Sequence, residues 1–163
     1  MEKLWAPWRV EYIRNPGSGC FFCDGLKKKD HQKALIIEIG KQVFTIMNRY
    51  PYNNGHIMVA PVRHVGLLEH LDDSEILEIN RLLIRTMNAI DHTMKPQGYN
   101  IGINQGKVAG AGVVDHVHVH LVPRWQGDTN FMPILSNTKV VSEALVETYK
   151  KIRQGLERLD NPR

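Results

Sequence analysis

The chain has 163 residues, 42% of them apolar and 23% charged, with 21 Lys and Arg against 17 Asp and Glu for a formal charge of +4. That length and apolar content suit a single core-forming domain over residues 1–163 and exclude a disordered or fibrous chain, and 13 Gly and 8 Pro are too scattered for low complexity. The positive charge is spread out apart from Lys27-Lys28-Lys29 and Lys150-Lys151, and no stretch approaches the roughly 18 apolar residues of a membrane span, so neither a nucleic acid nor a membrane is expected as partner.

Residues 1–19 set Trp5, Trp8 and Tyr12 among Pro and Gly, which reads as an irregular arm that docks on a surface. Its charges and prolines stand where a signal peptide needs an apolar run, so a cytoplasmic location is expected. The only cysteines follow, in Cys20-Phe21-Phe22-Cys23, which taken alone is a redox pair, a zinc half-site or two buried apolar thiols. After a polar turn at 27–32, residues 43–48 and 56–61 read as antiparallel strands joined by the turn-rich 49–55. A helix begins at Asp72, where Glu75 completes a capping box and Leu71 is placed to staple onto Ile76, and it ends before Pro96. Its apolar stripe is Ile76, Ile79, Leu83, Met87, Ile90 and Met94. Residues 100–104 and 117–123 read as further strands, and 137–163 as a C-terminal helical extension with a seam of Leu145, Tyr149, Ile152, Leu156 and Leu159. The expected fold is α+β, an antiparallel sheet of about five strands with a long central helix and a C-terminal helix, and the sequence has neither a dinucleotide-binding nor a P-loop glycine motif.

The densest chemistry lies in His116-Val117-His118-Val119-His120-Leu121-Val122. A helix would throw His118 to the side opposite His116 and His120, whereas a strand's period of two gathers all three histidines on one face and the apolar residues on the other. Three histidines so gathered suit either a tri-histidine catalytic metal or nucleophilic attack by one imidazole. The preceding segment, from Asn104-Gln105-Gly106 to Gly110-Ala111-Gly112, is a glycine-dotted turn whose backbone amides suit an anion such as a phosphate ester.

The triad, together with Asn48-Arg49-x-Pro51-x-x-x-Gly55-His56 and Pro123-Arg124-Trp125, resembles the histidine triad family of nucleotide hydrolases and transferases over nearly the whole chain. The Leu4–Arg9 arm, Tyr50-Pro51-Tyr52-Asn53 and the 127–131 stretch look most like its bacterial diadenosine tetraphosphate phosphorylase branch. The resemblance implies that His118 attacks an α-phosphorus to form a nucleotidyl-phosphohistidine, that His120 contacts the phosphate or leaving oxygen, and that His116 and His56 complete the catalytic set. It implies nucleotide binding by Asn48 at the ribose, Ile46 and Met58 at the base, Asn104, Gln105, Gly110 and Gly112 at the phosphates, and Trp125, which either covers a nucleotide or fills its own core. Two departures bear on the reaction. Where relatives carry a hydroxyl before the triad, this chain has Gly110-Ala111-Gly112-Val113, so phosphate and water both stay open as acceptors. His120 replaces the glutamine of the uridylyltransferase branch.

Family members with CxxC and Pro-x-x-His use a Cys₂His₂ zinc set, which maps here onto Cys20, Cys23, His64 and His116. A structural zinc is therefore expected, with no redox cofactor and with a divalent cation accompanying the substrate. His31, His70 and His92 read as surface residues. The resemblance also implies a homodimer, with higher oligomers left open, that brings together the long helices or nearby strands. The other functions left open are a nucleoside phosphoramidase and a non-catalytic nucleotide-binding signalling module.

Overall fold

In the computed structural model, residues 19–128 and 143–161 are described. The arm at 1–18 and the stretch 129–142, including the start of the C-terminal extension, lie outside them. Two short helices, α1 (Phe21–Leu26) and α2 (His31–Ala34), lead into β1 (Ile36–Ile39). Then come β2 (Val43–Met47), β3 (Ile57–Pro61), a 3₁₀ turn (Leu68–His70), α3 (Asp73–Met94), β4 (Gly98–Ile103), β5 (Val119–Arg124) and α4 (Leu145–Asp160). The strands form one antiparallel sheet in the order β1-β2-β3-β5-β4.

Strand parity divides the sheet into two faces. Ile46 pairs with Met58, Met58 with His120, and His120 with Gly102, so these residues share a face with Phe44 and His56. That face meets α1, whose Phe22 is fully buried and sits 6.2 Å from the Phe44 ring. On the opposite face α3 packs against β2 and β3, and α4 packs on α3. Both faces of β2, β3 and most of β5 are therefore buried, which explains near-continuous apolar runs in an antiparallel sheet.

The expected capping box is present: the Asp72 carboxylate accepts from the Glu75 N–H at 2.9 Å, and Glu75 accepts from the Asp72 N–H at 3.0 Å. Glu75 is 2% exposed and also takes a two-pronged bond from Arg63 at 2.6 and 2.7 Å, so a buried carboxylate is compensated on both sides. The stripe differs from expectation at one end. Ile76 is 41% exposed, and Leu82 and Ala89 are buried instead, because α3 turns its 79–82–86–90 side to the sheet. In α4 the expected seam holds, with Ile152 and Leu156 buried and Leu145, Tyr149 and Leu159 packed at its margins. Gly155 lets the two helices touch, since a Cβ there would overlap the Ala89 carbonyl.

Candidate active site

β5 starts at Val119, two residues later than the alternation suggests, yet the backbone is already held in place before it. The Val117 N–H donates to the Val65 carbonyl at 2.7 Å, which docks 116–118 beside the loop that follows β3. His116, His118 and His120 are all buried, as is His56 immediately before β3. The Phe22 ring lies 4.9 Å from both His116 and His118, and the His118 and His120 rings are 4.8 Å apart.

Backbone groups decide where the protons sit. His118 Nδ1 is 2.9 Å from the His116 carbonyl oxygen, which can only accept, so Nδ1 carries the proton and Nε2 keeps its lone pair. Burial pushes the His118 pKa below its ordinary value of 6.5, and the same hydrogen bond opposes part of that shift. The ring is therefore neutral at pH 7. His56 Nδ1 accepts from the Tyr52 main-chain N–H at 3.0 Å, which leaves its proton on Nε2, facing His120 Nδ1 at 2.9 Å. A neutral His120 then has its own proton on Nε2. The Tyr52 ring stacks on His56 at 4.7 Å and 22°.

Cys20, Cys23, His64 and His116 offer one donor atom each, all within 4.8 Å of one another. Three sulfur–nitrogen separations are 3.2, 3.4 and 3.7 Å, from Cys20 to His116, Cys23 to His64 and Cys23 to His116. A tetrahedral zinc with Zn–S of about 2.3 Å and Zn–N of about 2.0 Å sets such edges near ~3.5 Å, so the donor set fits that ion. His116 supports the fit, because its Nε2–H donates to the Pro61 carbonyl at 2.8 Å and so turns Nδ1 toward the sulfurs. Burial pushes the Cys23 thiol up, the direction that a bound cation would reverse. The CxxC segment is helical: Cys20 is the N-cap of α1 and Cys23 lies in its first turn, which brings both sulfurs to one side. His64 is exposed, and His31, His70 and His92 lie on the surface as expected.

The remaining expected residues divide. Ile46 and Met58 are buried on the histidine face, and Asn48 follows Ile46 at the end of β2, where its Oδ1 accepts from the Tyr50 N–H at 2.8 Å. Parity puts Asn104 on the same face, and its amide points toward Gly110. Gly102, opposite His120, leaves open space where a side chain would stand. Gln105 instead reaches the 3₁₀ turn, bonding the Leu68 N–H at 2.8 Å and Glu69 at 3.0 Å. The Gly110 and Ala111 amides close the turn on itself through the Lys107 and Gly106 carbonyls. Gly112 continues that loop toward the triad. Trp125 docks on the helix face, its indole N–H shared between the Met94 and Lys95 carbonyls at 3.3 and 3.1 Å, so within its own chain it caps α3. Phe22 and the Tyr52 amide were not legible as site elements. Phe22 has a weak signal in its place between the cysteines, but a main-chain N–H leaves no sequence trace.

Comparison with known proteins fits this geometry: residues 29–127 match the HIT domain. The chain belongs to the HIT family. Among HIT relatives, the AP-4-A phosphorylase of Mycobacterium tuberculosis is 36% identical over 158 residues, covering 91% of this chain and 80% of the relative. The asymmetrical bis(5'-nucleosyl)-tetraphosphatase of Schizosaccharomyces pombe is 34% identical over 97 residues, 55% of this chain and 53% of the relative. The crystal structure of a Zn-bound histidine triad family protein from Mycobacterium smegmatis shares the HIT fold, with a TM-score of 0.69 at 24% identity, covering 89% of this chain and 98% of that one.

Proposed function

We infer that this HIT protein is an enzyme that cleaves diadenosine polyphosphates through a nucleotidyl-phosphohistidine on His118. The observation that carries the reading is the His116 carbonyl bond to His118 Nδ1, which leaves a neutral imidazole with an Nε2 lone pair suited to attack. Nε2 forms a bond to the α-phosphorus as the phosphorus–oxygen bond to the leaving nucleotide breaks, and that oxygen takes the electron pair. The His120 Nε2–H is suited to meet the developing charge there. Water or phosphate then attacks phosphorus, and the electron pair of the phosphorus–nitrogen bond returns to Nε2. The identity of the M. tuberculosis phosphorylase over most of the chain supports the substrate class.

Asn48 presents its Nδ2 amide to a ribose hydroxyl, since its oxygen is engaged by Tyr50. Ile46 and Met58 offer an apolar surface to the base. A divalent cation offsets the polyphosphate charge. Cys20, Cys23, His64 and His116 would hold a zinc, which ties α1 to the triad as a closed structural cross-link. Thiolate ligation suits a reducing compartment, and we place the enzyme in the cytoplasm as a single domain. No helix among the described residues is long and apolar enough to cross a membrane. Leu77 and Ile84 on α3 are 50% and 59% exposed, and Ile101 and Ile103 on the edge strand β4 are 51% and 37% exposed, which favours a homodimer that covers the β4 edge or the outer face of α3.

Incubation with diadenosine tetraphosphate, with and without phosphate, tests the reading. Phosphorolysis yields ADP plus ATP and hydrolysis yields AMP plus ATP. No cleavage under either condition overturns the assignment.

A further inference from the structure

The direction of the His56–His120 hydrogen bond depends on a loop that neither ring belongs to. We propose that Asp128, acting through Asn53, is a positioning residue for the chemical step: it holds the Tyr52 main-chain amide in place, and that amide keeps the His120 proton on Nε2. The proposal deepens the function inferred above and rests on it for the role of His120.

The His56–His120 contact itself can be made with either polarity, so groups outside the pair weight the choice. If the polarity reversed, His120 Nδ1–H would donate to His56 Nε2, and the His56 proton would move to Nδ1. There it would face the Tyr52 N–H, a donor against a donor beside a ring that is 1% exposed. The Tyr52 amide thus excludes the reversed arrangement only while it stays on His56. Asn53, the next residue, is where the loop is fastened. Its Nδ2 donates to Asp128 Oδ2 at 2.7 Å and to the Pro123 carbonyl at 3.1 Å. Asp128 is in turn fixed to the end of β5 by Arg124 Nε and Nη2 at 2.7 and 2.9 Å and by the Trp125 N–H at 3.1 Å. Arg124 Nη1 reaches Asn100 on β4 at 2.7 Å. The loop is therefore registered against the same strand that carries His120, so the donor to His56 and the acceptor on His120 are referenced to one element. A second fastening, Thr148 Oγ1 to Asn54 Oδ1 at 2.9 Å, supports the loop from α4 without touching β5.

The test compares Asn53→Ala and Asp128→Ala with Asp128→Asn, which keeps an acceptor for Asn53, and with Ile79→Ala, a cavity variant of a buried residue near the N-terminal end of α3, the end away from the loop. Long-range ¹H–¹⁵N NMR of the imidazoles in the free protein at pH 8 reads the tautomers directly. The expected wild-type result is Nε2–H on both His56 and His120. In the two alanine variants His120 should gain an Nδ1–H population, with kcat for diadenosine tetraphosphate down about tenfold and KM within about threefold. Asp128→Asn should restore most of both properties, and Ile79→Ala should lower Tm with wild-type tautomers. Nδ1–H on His120 in the wild type, or unchanged tautomers in both alanine variants, overturns the positioning role. A tautomer change with wild-type kcat overturns its link to the chemistry. Because the tautomers are read without substrate, they decide the positioning even if the dinucleotide is not cleaved.

Discussion

Replacing His118 by Asn separates the loss of chemistry from the loss of structure. The Asn amide can still donate to the His116 carbonyl, which His118 Nδ1 reaches at 2.9 Å, so the backbone keeps its partner. What disappears is Nε2 and the ring that packs 4.9 Å from Phe22 and 4.8 Å from His120. Losing part of a buried ring costs about 1–3 kcal/mol of stability, against the roughly 5–15 kcal/mol that holds a domain together, so the variant stays folded. Removing the nucleophile should lower turnover by at least ~10³-fold, or about 4 kcal/mol of barrier, with no neighbour able to substitute. His120 offers its proton-bearing nitrogen, and His116 faces the cysteines. Thermal melts establish the fold, single-turnover cleavage of diadenosine tetraphosphate gives the rate, and mass spectrometry of quenched protein looks for an added nucleotidyl group. More than about a tenth of wild-type turnover, or a nucleotidyl adduct on the variant, would refute attack by this nitrogen.

Elemental analysis should find about one zinc per chain, and Cys23→Ser should lower the melting temperature more than the rate of the chemical step; a metal-free protein of undiminished stability rejects the site. Asp128 is held down to about 2 by Arg124, and its unfolded value is 3.8, so its contribution is complete above pH 3.8 and disappears as pH falls toward 2. Denaturant titrations should lose about 2 kcal/mol across that window, and the loss should vanish in Asp128→Asn. Gly155→Ala drives a Cβ into the Ala89 carbonyl, 2.8 Å from its carbon, and should cost about 1–3 kcal/mol in chemical denaturation; an unchanged midpoint means that α4 is not held as closely as described. Light scattering at micromolar concentration should give twice the monomer mass, and Ile101→Asp should halve it; a monomeric wild type dismisses the proposed dimer.

Much of this architecture was legible because two periods were written clearly. The alternation through His116–Leu121 is a strand's, and the chain forms the strand from Val119 onward, while the Asp72/Glu75 pair marks a helix start. β1 was less visible, because Ile36-Ile37-Glu38-Ile39 is too short to carry a period and follows a helix of four residues. Ile76 was assigned to the buried stripe because periodicity gives the angle of a face and not its width. The histidines and cysteines were found by type and spacing. Their tautomers were not, because they are set by the Tyr52 amide and by the His116 and Pro61 carbonyls, groups that every residue or nearly every residue possesses. The Asn53–Asp128 contact spans 75 positions and joins two ordinary loop residues, so only the folded chain brings it into view.

His116 serves two neighbours with two different parts of itself: its ring nitrogen faces the cysteines, and its carbonyl oxygen orients the His118 ring. Only the first of these depends on which amino acid stands there. Any residue at this position can supply the oxygen, so exchanging this side chain would remove one of the four candidate metal donors and leave the carbonyl contact to His118 Nδ1 in place.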